Sequence, residues 1–167
     1  LLVNQLLDLA KNKQSIAHQN FNIVPIVQKI YQTFTKAYDR EISLDIEKES
    51  IFIFGNEDQL EPVIYILLSN AMKYSEKEIE ISLFEKDDVV TVTVKDYGPG
   101  ISEEDQKRIF DRFYRVDKAR TRKSGGTGLG LAIAKEIVAA HDGDITIESE
   151  LGRGSKFSIH FPIVKNN

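Results

Sequence analysis

Three short stretches of this sequence combine residue types and spacings that can do chemistry. In SGGTGLGLAIAK, Ser124–Lys135, Gly125, Gly126, Gly128 and Gly130 stand directly before a run of Leu, Ala and Ile at helical spacing. The first amides of a helix have no partner inside it, and the helix dipole makes that end positive. Glycine lets such a backbone approach a ligand closely. The combination suits an anion, usually phosphate, although the same glycines would serve a flexible loop or a tight helix–sheet contact. No Gly-Lys-Ser/Thr follows, so this is not a P-loop, and no strand leads straight into it, so it is not a dinucleotide fingerprint.

The second stretch is KDYGPGI, Lys95–Ile101, which follows a strand pattern directly. Asp96 falls where the strand ends, and Gly98 and Gly100 around Pro99 permit a sharp bend. A carboxylate there can accept a hydrogen bond from an amine edge such as that of adenine; an ordinary Asp-Gly turn would read the same. The third feature is Asn70 inside a helical pattern, where Asn is a poor choice. Lys73 follows on the same side. An amide oxygen beside an ammonium suits Mg2+ and a phosphate oxygen, and equally suits a solvated helix face.

The rest of the chain must position these groups. Its 167 residues suit one domain with an attached helix, and 41% hydrophobic residues suffice for a core. A net charge of −4 gives no global basic field to recruit nucleic acid, and the absence of cysteine excludes disulfides, thiolate metal sites and a Cys nucleophile. The longest apolar run, Val63–Leu68, is far too short to span a membrane. No signal peptide is visible, and the chain opens on Leu-Leu, which suggests a piece of something longer.

Periodicity predicts a helix over 1–13, a linker ending near Pro25 as a first-turn proline, and a helix over 25–38. Strands are expected at 41–47, with Ile42, Leu44 and Ile46 inward, and at 51–55. Asp58 to about Tyr74 reads as a helix buried through Leu60, Val63, Leu67 and Ala71. Strands at 78–84 and 89–95 form a hairpin across the polar turn Glu85–Asp88. Residues 96–127 hold turns and two short helical pieces, Leu129–His141 is a helix stopped by Gly143, and two alternating strands flank ELGRG. Strands thus come in adjacent pairs, which predicts an α+β two-layer sandwich: a mixed, mostly antiparallel sheet with helices on one face.

In this order and spacing, LLSNAMKYS, DYGPGI, IFDRFYR and GGTGLGLAIAKEIV resemble the N, G1, F and G2 boxes of sensor histidine kinases, within the ATPase superfamily that includes gyrase B, Hsp90 and MutL. The resemblance covers roughly residues 20–162, and the lid-to-helix stretch looks like the membrane-bound two-component kinases of low-GC Gram-positive bacteria. It implies a mobile ATP lid over the sandwich, with residues 1–20 as the end of a dimerisation-hairpin helix plus linker and 21–167 as the ATP-binding catalytic domain. By resemblance Asn70 would hold Mg2+, Lys73 would contact phosphate, Tyr74 would pack on the nucleotide, and Asp96 would accept the adenine amine. Gly98 and Gly100 would admit the base, Phe110 and Phe113 would anchor the lid, and Arg115 would reach the terminal phosphate. Gly126, Gly128 and Gly130 would present amides to the phosphates, and Ile101, Thr127 and Leu129 would complete the nucleotide site. The implied partners are the protein's own phosphoacceptor domain and a response regulator, with no nucleic acid and no direct membrane contact. The implied location is the cytoplasmic side of a membrane-anchored bacterial sensor.

The sequence also departs from that family. The residue one turn before the metal-binding Asn is usually polar; here it is Ile66, expected on the site face beside Asn70. Pro62 is tolerable only in the first turn of its helix. Of the three histidines, His18 lies in the linker stretch without an acidic neighbour, His141 reads as a helix-end cap and His160 alternates outward on a strand, so the acceptor is expected on a separate domain. Ile66 keeps a second reading open, a nucleotide-gated interaction module with little or no kinase activity. An ATPase clamp or an anti-sigma kinase fits the lid sequence and N-terminal helix less well.

Overall fold

The structure, a computed structural model, describes residues 18–114 and 129–164. The predicted helix over 1–13, the lid after Tyr114, Arg115, Gly125, Gly126, Thr127 and Gly128 all lie outside those residues. The elements are β1 (Gln19–Asn22), α1 (Val24–Ala37), β2 (Ile42–Ile46), β3 (Phe52–Gly55), α2 (Glu57–Tyr74), β4 (Ile79–Lys86), β5 (Val89–Asp96), α3 (Glu103–Gln106), α4 (Gly130–Ala140), β6 (Asp144–Glu150) and β7 (Gly154–Pro162).

Five strands form one sheet in the order β2-β4-β5-β7-β6; β2 pairs with β4 in parallel and the other pairs are antiparallel. This is the mixed α+β sandwich the strand pairing predicts. Side chains alternate across a strand, so the register lines up apolar rows on one face. Leu44, Ile81, Val94, Phe157 and Ile147 make one row, and Ile46, Leu83, Val92, Ile159 and Ile145 the next. Against these rows α1 buries Val27, Ile30 and Phe34, α2 buries Leu60, Val63 and Leu67, and α4 buries Ile133, Ile137 and Val138. The opposite face is polar, although Thr91, Thr93 and Ser158 at its centre are themselves buried. There His160 bridges two strands, its Nδ1 3.0 Å from Thr91 Oγ1 and its Nε2 3.1 Å from Thr146 Oγ1.

The hairpin turn tightens to two residues: Asp87 and Asp88 both take positive φ, and the strands run on through Glu85. That is the turn whose twist matches flanking strands. Pro25 sits in the first turn of α1, where its missing N–H costs nothing. Pro62 does not share that placement. It lies inside α2, beyond the first turn, and the carbonyl it leaves without a helical donor belongs to Asp58, which is exposed and can turn to water. The residue in left-handed conformation after α4 is Asp142, one before Gly143.

Two features depart from the sequence reading. The stretch predicted as a linker contains β1, which pairs antiparallel with β3 in a separate two-stranded ribbon. Only Phe21 of its four residues is buried, too short a pattern for alternation to register. The strand at 52–55 is therefore not part of the main sheet. Beneath the ribbon, His141 joins two helix ends: Nε2 accepts from the Asn56 N–H at 3.0 Å, at the start of α2, and Nδ1 donates to the Ile137 carbonyl at 2.8 Å, in α4.

Candidate functional site

Asp96 ends β5 with the parity of Val90, Val92 and Val94, so it faces the helices and not solvent. The register puts it in the row Ile42–Ile79–Asp96–Ser155–Ser149, the point at which the inner face of the sheet turns polar. It is only 6% exposed. Its Oδ1 accepts from the Gly98 N–H at 2.9 Å. Burial pushes its carboxyl above the ordinary value, opposed by the amides of Gly98 and Ser155 and by the charge of Arg40.

The turn after Asp96 is packed against the end of α2. A Cβ on Gly98 would come within 2.5 Å of the Tyr74 carbonyl oxygen, so only glycine admits this approach. Gly100 takes φ +77°, the left-handed region glycine tolerates. The Pro99 carbonyl accepts from the Gly152 N–H at 2.8 Å, which ties the turn to the β6–β7 hairpin. Ile101 is half-buried; its N–H donates to Ser149 Oγ at 2.7 Å and its carbonyl accepts from Gln106 Nε2 at 2.7 Å.

Helix α2 connects this turn to the start of α4. Ile66, Asn70 and Tyr74 follow one another at one-turn spacing and so share a face. Ile66 is 5% exposed, and its Cγ2 lies 3.4 Å from where a Cβ on Gly130 would stand. Tyr74 touches the Gly98 turn at the other end. Asn70, half-buried, therefore stands between the Gly98 turn and the first residue of α4, with Lys73 exposed beside it. Ile66 lies on the face expected of it, but as packing under α4.

The start of α4 differs from the starts of α2 and α3. Asn56 and Ser102 cap those helices through side-chain oxygens. Leu129 at the corresponding position of α4 has none to offer, and the first turn carries no acidic residue. Among the described residues none caps the first amides of α4 with a side chain, so there they keep the donor capacity and positive potential of a helix start.

The segment before the undescribed stretch is tied down at its root. The Phe110 ring stands edge-on to Phe157 with centroids 6.3 Å apart, and Lys135 Nζ lies 5.4 Å above it. Arg112 pairs with Glu136 of α4 at 2.5 Å, and the Tyr114 hydroxyl donates to Asp105. Phe113 shares none of that burial: it is 69% exposed, with φ 65°.

These groups fit a nucleoside triphosphate with a divalent ion: a buried carboxylate for an amine edge, a turn with no room for a Cβ, and helix-start amides that no described side chain caps. No cluster of three His, Cys, Asp or Glu stands ready for a metal among the described residues. A cation here would rest on the Asn70 amide oxygen and on phosphate oxygens, a ligand set that suits Mg2+. Sequence reasoning missed Ser155 and Arg40. The first was legible, since it follows Gly154 at the start of an alternating strand; a single Arg between a helix and a strand carries no such signal.

The family described as histidine kinase-, DNA gyrase B-, and HSP90-like ATPase matches residues 55–165. Sensor histidine kinase YkoH of Bacillus subtilis (strain 168) is 40% identical over 96% of this chain and 36% of its own length. Sensor histidine kinase WalK of the same strain is 40% identical over 96% of this chain and 28% of its own length. The chain thus spans about a third of these curated relatives. Among solved structures, the nucleotide-free catalytic domain of histidine kinase ThkA superposes with a TM-score of 0.77 at 25% identity, covering 90% of this chain and all of that one.

Proposed function

The chain belongs to the histidine kinase-, DNA gyrase B-, and HSP90-like ATPase family, and from that membership we propose that it is the ATP-binding catalytic part of a sensor histidine kinase. It would direct the γ-phosphate of ATP to a histidine on a separate helical dimerisation domain, in a protein that hands the phosphoryl group to a response regulator and is anchored in a membrane. The observation that supports this reading is the line Ile66–Asn70–Tyr74 on α2, whose ends meet the start of α4 at Gly130 and the Gly98 turn beside the buried Asp96.

In this reading Asp96 accepts the adenine amine, and the Gly98–Gly100 turn with Ile101 forms the wall behind the base. Tyr74 packs on the nucleotide from the end of α2. The amides of Gly130 and the residues after it, with Gly126, Thr127, Gly128 and Leu129 before it, face the phosphates. Lys73 and Arg115 neutralise charge there, and Phe113 is free to close on the nucleotide. Mg2+, when bound, offsets the charge on the phosphate oxygens. The chain's own residues position and neutralise; none attacks.

The histidines support a separate acceptor. Both nitrogens of His141 are engaged in a buried site, and both nitrogens of His160 face threonines on neighbouring strands. His18 stacks on His141 with centroids 4.7 Å apart. Titration with a fluorescent ATP analogue and Mg2+ tests the binding half of the proposal: saturable binding displaced by ADP is expected, and no binding at millimolar nucleotide refutes it. Fusion to a hairpin carrying its histidine, with labelled ATP, tests transfer; absence of phosphohistidine there would favour a nucleotide-gated module over a kinase.

A further inference from the structure

Arg40 lies between α1 and β2, outside every stretch assigned to the site above, yet its guanidinium closes around the end of α2. Nη2 donates to the carbonyls of Met72 at 3.2 Å and Ser75 at 2.7 Å; Nη1 donates to Ser75 Oγ at 3.1 Å and the Lys77 carbonyl at 3.2 Å. The last carbonyls of a helix lack helical partners and carry its negative end, so a cation here is well matched. Ser75 Oγ in turn donates to the Ala71 carbonyl at 2.5 Å.

The clamped turn is the one that faces the candidate base slot. The Tyr74 carbonyl and Ser75 Cβ are the atoms a Cβ on Gly98 would meet, at 2.5 and 3.1 Å. A shift of this turn would therefore open or shut the gap to the Gly98–Gly100 bend and move Asn70 and Lys73 with it. We propose that Arg40 is a positioning residue for nucleotide binding, holding the end of α2 at the distance from the Gly98 turn that the adenine slot requires. The proposal rests on the reading of the site as an ATP site.

Two properties of the residue fit the role. Four acceptors spread around one turn match a planar fork and not the point charge of lysine. The Arg40 charge also favours the ionised form of Asp96. Among the described residues Arg40 is the one charged side chain found to shift Asp96, alongside the Gly98 and Ser155 amides; Lys95 and Lys156 stand opposite each other on the other face of the sheet.

The test measures Mg-nucleotide affinity of the whole chain across pH for wild type, Arg40→Met, Arg40→Lys and Asp96→Asn, with urea midpoints alongside. Arg40→Met is expected to bind about tenfold more weakly or worse, as loss of charge-assisted hydrogen bonds implies. The pH below which it loses nucleotide should move upward. Arg40→Lys should keep the wild-type pH midpoint and still bind more weakly, and it serves alone if Arg40→Met does not fold. Wild-type affinity in either variant overturns the proposal; a lowered urea midpoint with unchanged nucleotide affinity is the mark of a purely structural cap. If wild type itself fails to bind, the ATP reading fails; if wild type binds, Asp96→Asn does not, and the Arg40 variants match wild type, only the clamp fails.

Discussion

Asp96 is held in the folded protein against its own solvation. Its folded pKa lies above the unfolded 3.8, so its contribution to stability is largest below that value and falls as pH rises through the interval between the two. At neutral pH the ionised form is a net cost to the fold. An amide of the same shape can still accept from Gly98 and Ser155. Asp96→Asn is therefore expected to show an equal or higher urea midpoint at pH 7 together with loss of nucleotide binding; a lower midpoint with unchanged affinity would contradict the account. The residue was legible as a turn carboxylate, and its inward face was legible too, from the parity of Val90, Val92 and Val94. Ile66 was legible only in part. Spacing placed it on the face of Asn70, but its contact with Gly130 depends on how α4 approaches, which one sequence does not encode locally. Ile66→Asn should cost about 2–4 kcal/mol in urea denaturation through lost apolar burial and an unpartnered amide. Unchanged stability with tighter Mg-nucleotide binding would show instead that position 66 faces the ligand.

Among the elements, α2 sets the distances of the site. One end of it is capped by Asn56 and pinned through His141 to α4; the other is clamped by Arg40 against the Gly98 turn. Its existence was readable from the stripe Leu60–Val63–Leu67–Ala71, whereas the internal Pro62 opposed the pattern, and tertiary packing outweighs that local penalty. The ribbon strand β1 was not readable, because a single buried Phe21 makes no periodicity. His141 gives this level its own test. Burial holds its pKa below the ordinary 6.5, with His18 pushing the same way against Asp142 and the Ile137 carbonyl. The unfolded chain takes up the proton first as pH falls, so His141 contributes stability above 6.5 that is lost below it, down to its folded value. Urea midpoints should decline from pH 7.5 toward 5.5, and the slope should flatten in His141→Gln. An equal slope in both proteins would place the titration elsewhere.

For the molecule as a whole, the sheet separates two kinds of surface. One face carries three helices and, at the ends of β5 and β7, the polar row containing Asp96. The other carries Thr91, Thr93, Ser158 and His160 and no helix among the described residues. The α+β class and the pairing of strands were legible because alternation and turn chemistry are local; the order β2-β4-β5-β7-β6 was not, since it joins segments far apart in the chain. The central claim is that ligand binding belongs to the helix-covered end near Asp96. Amide chemical shifts recorded during titration with Mg-ADP test it most directly. The account expects the largest changes at Asn70, Asp96, Gly98 and Gly130, with Thr93, Ser158 and His160 unmoved. Changes centred on the opposite face, or none at saturating nucleotide, would contradict it.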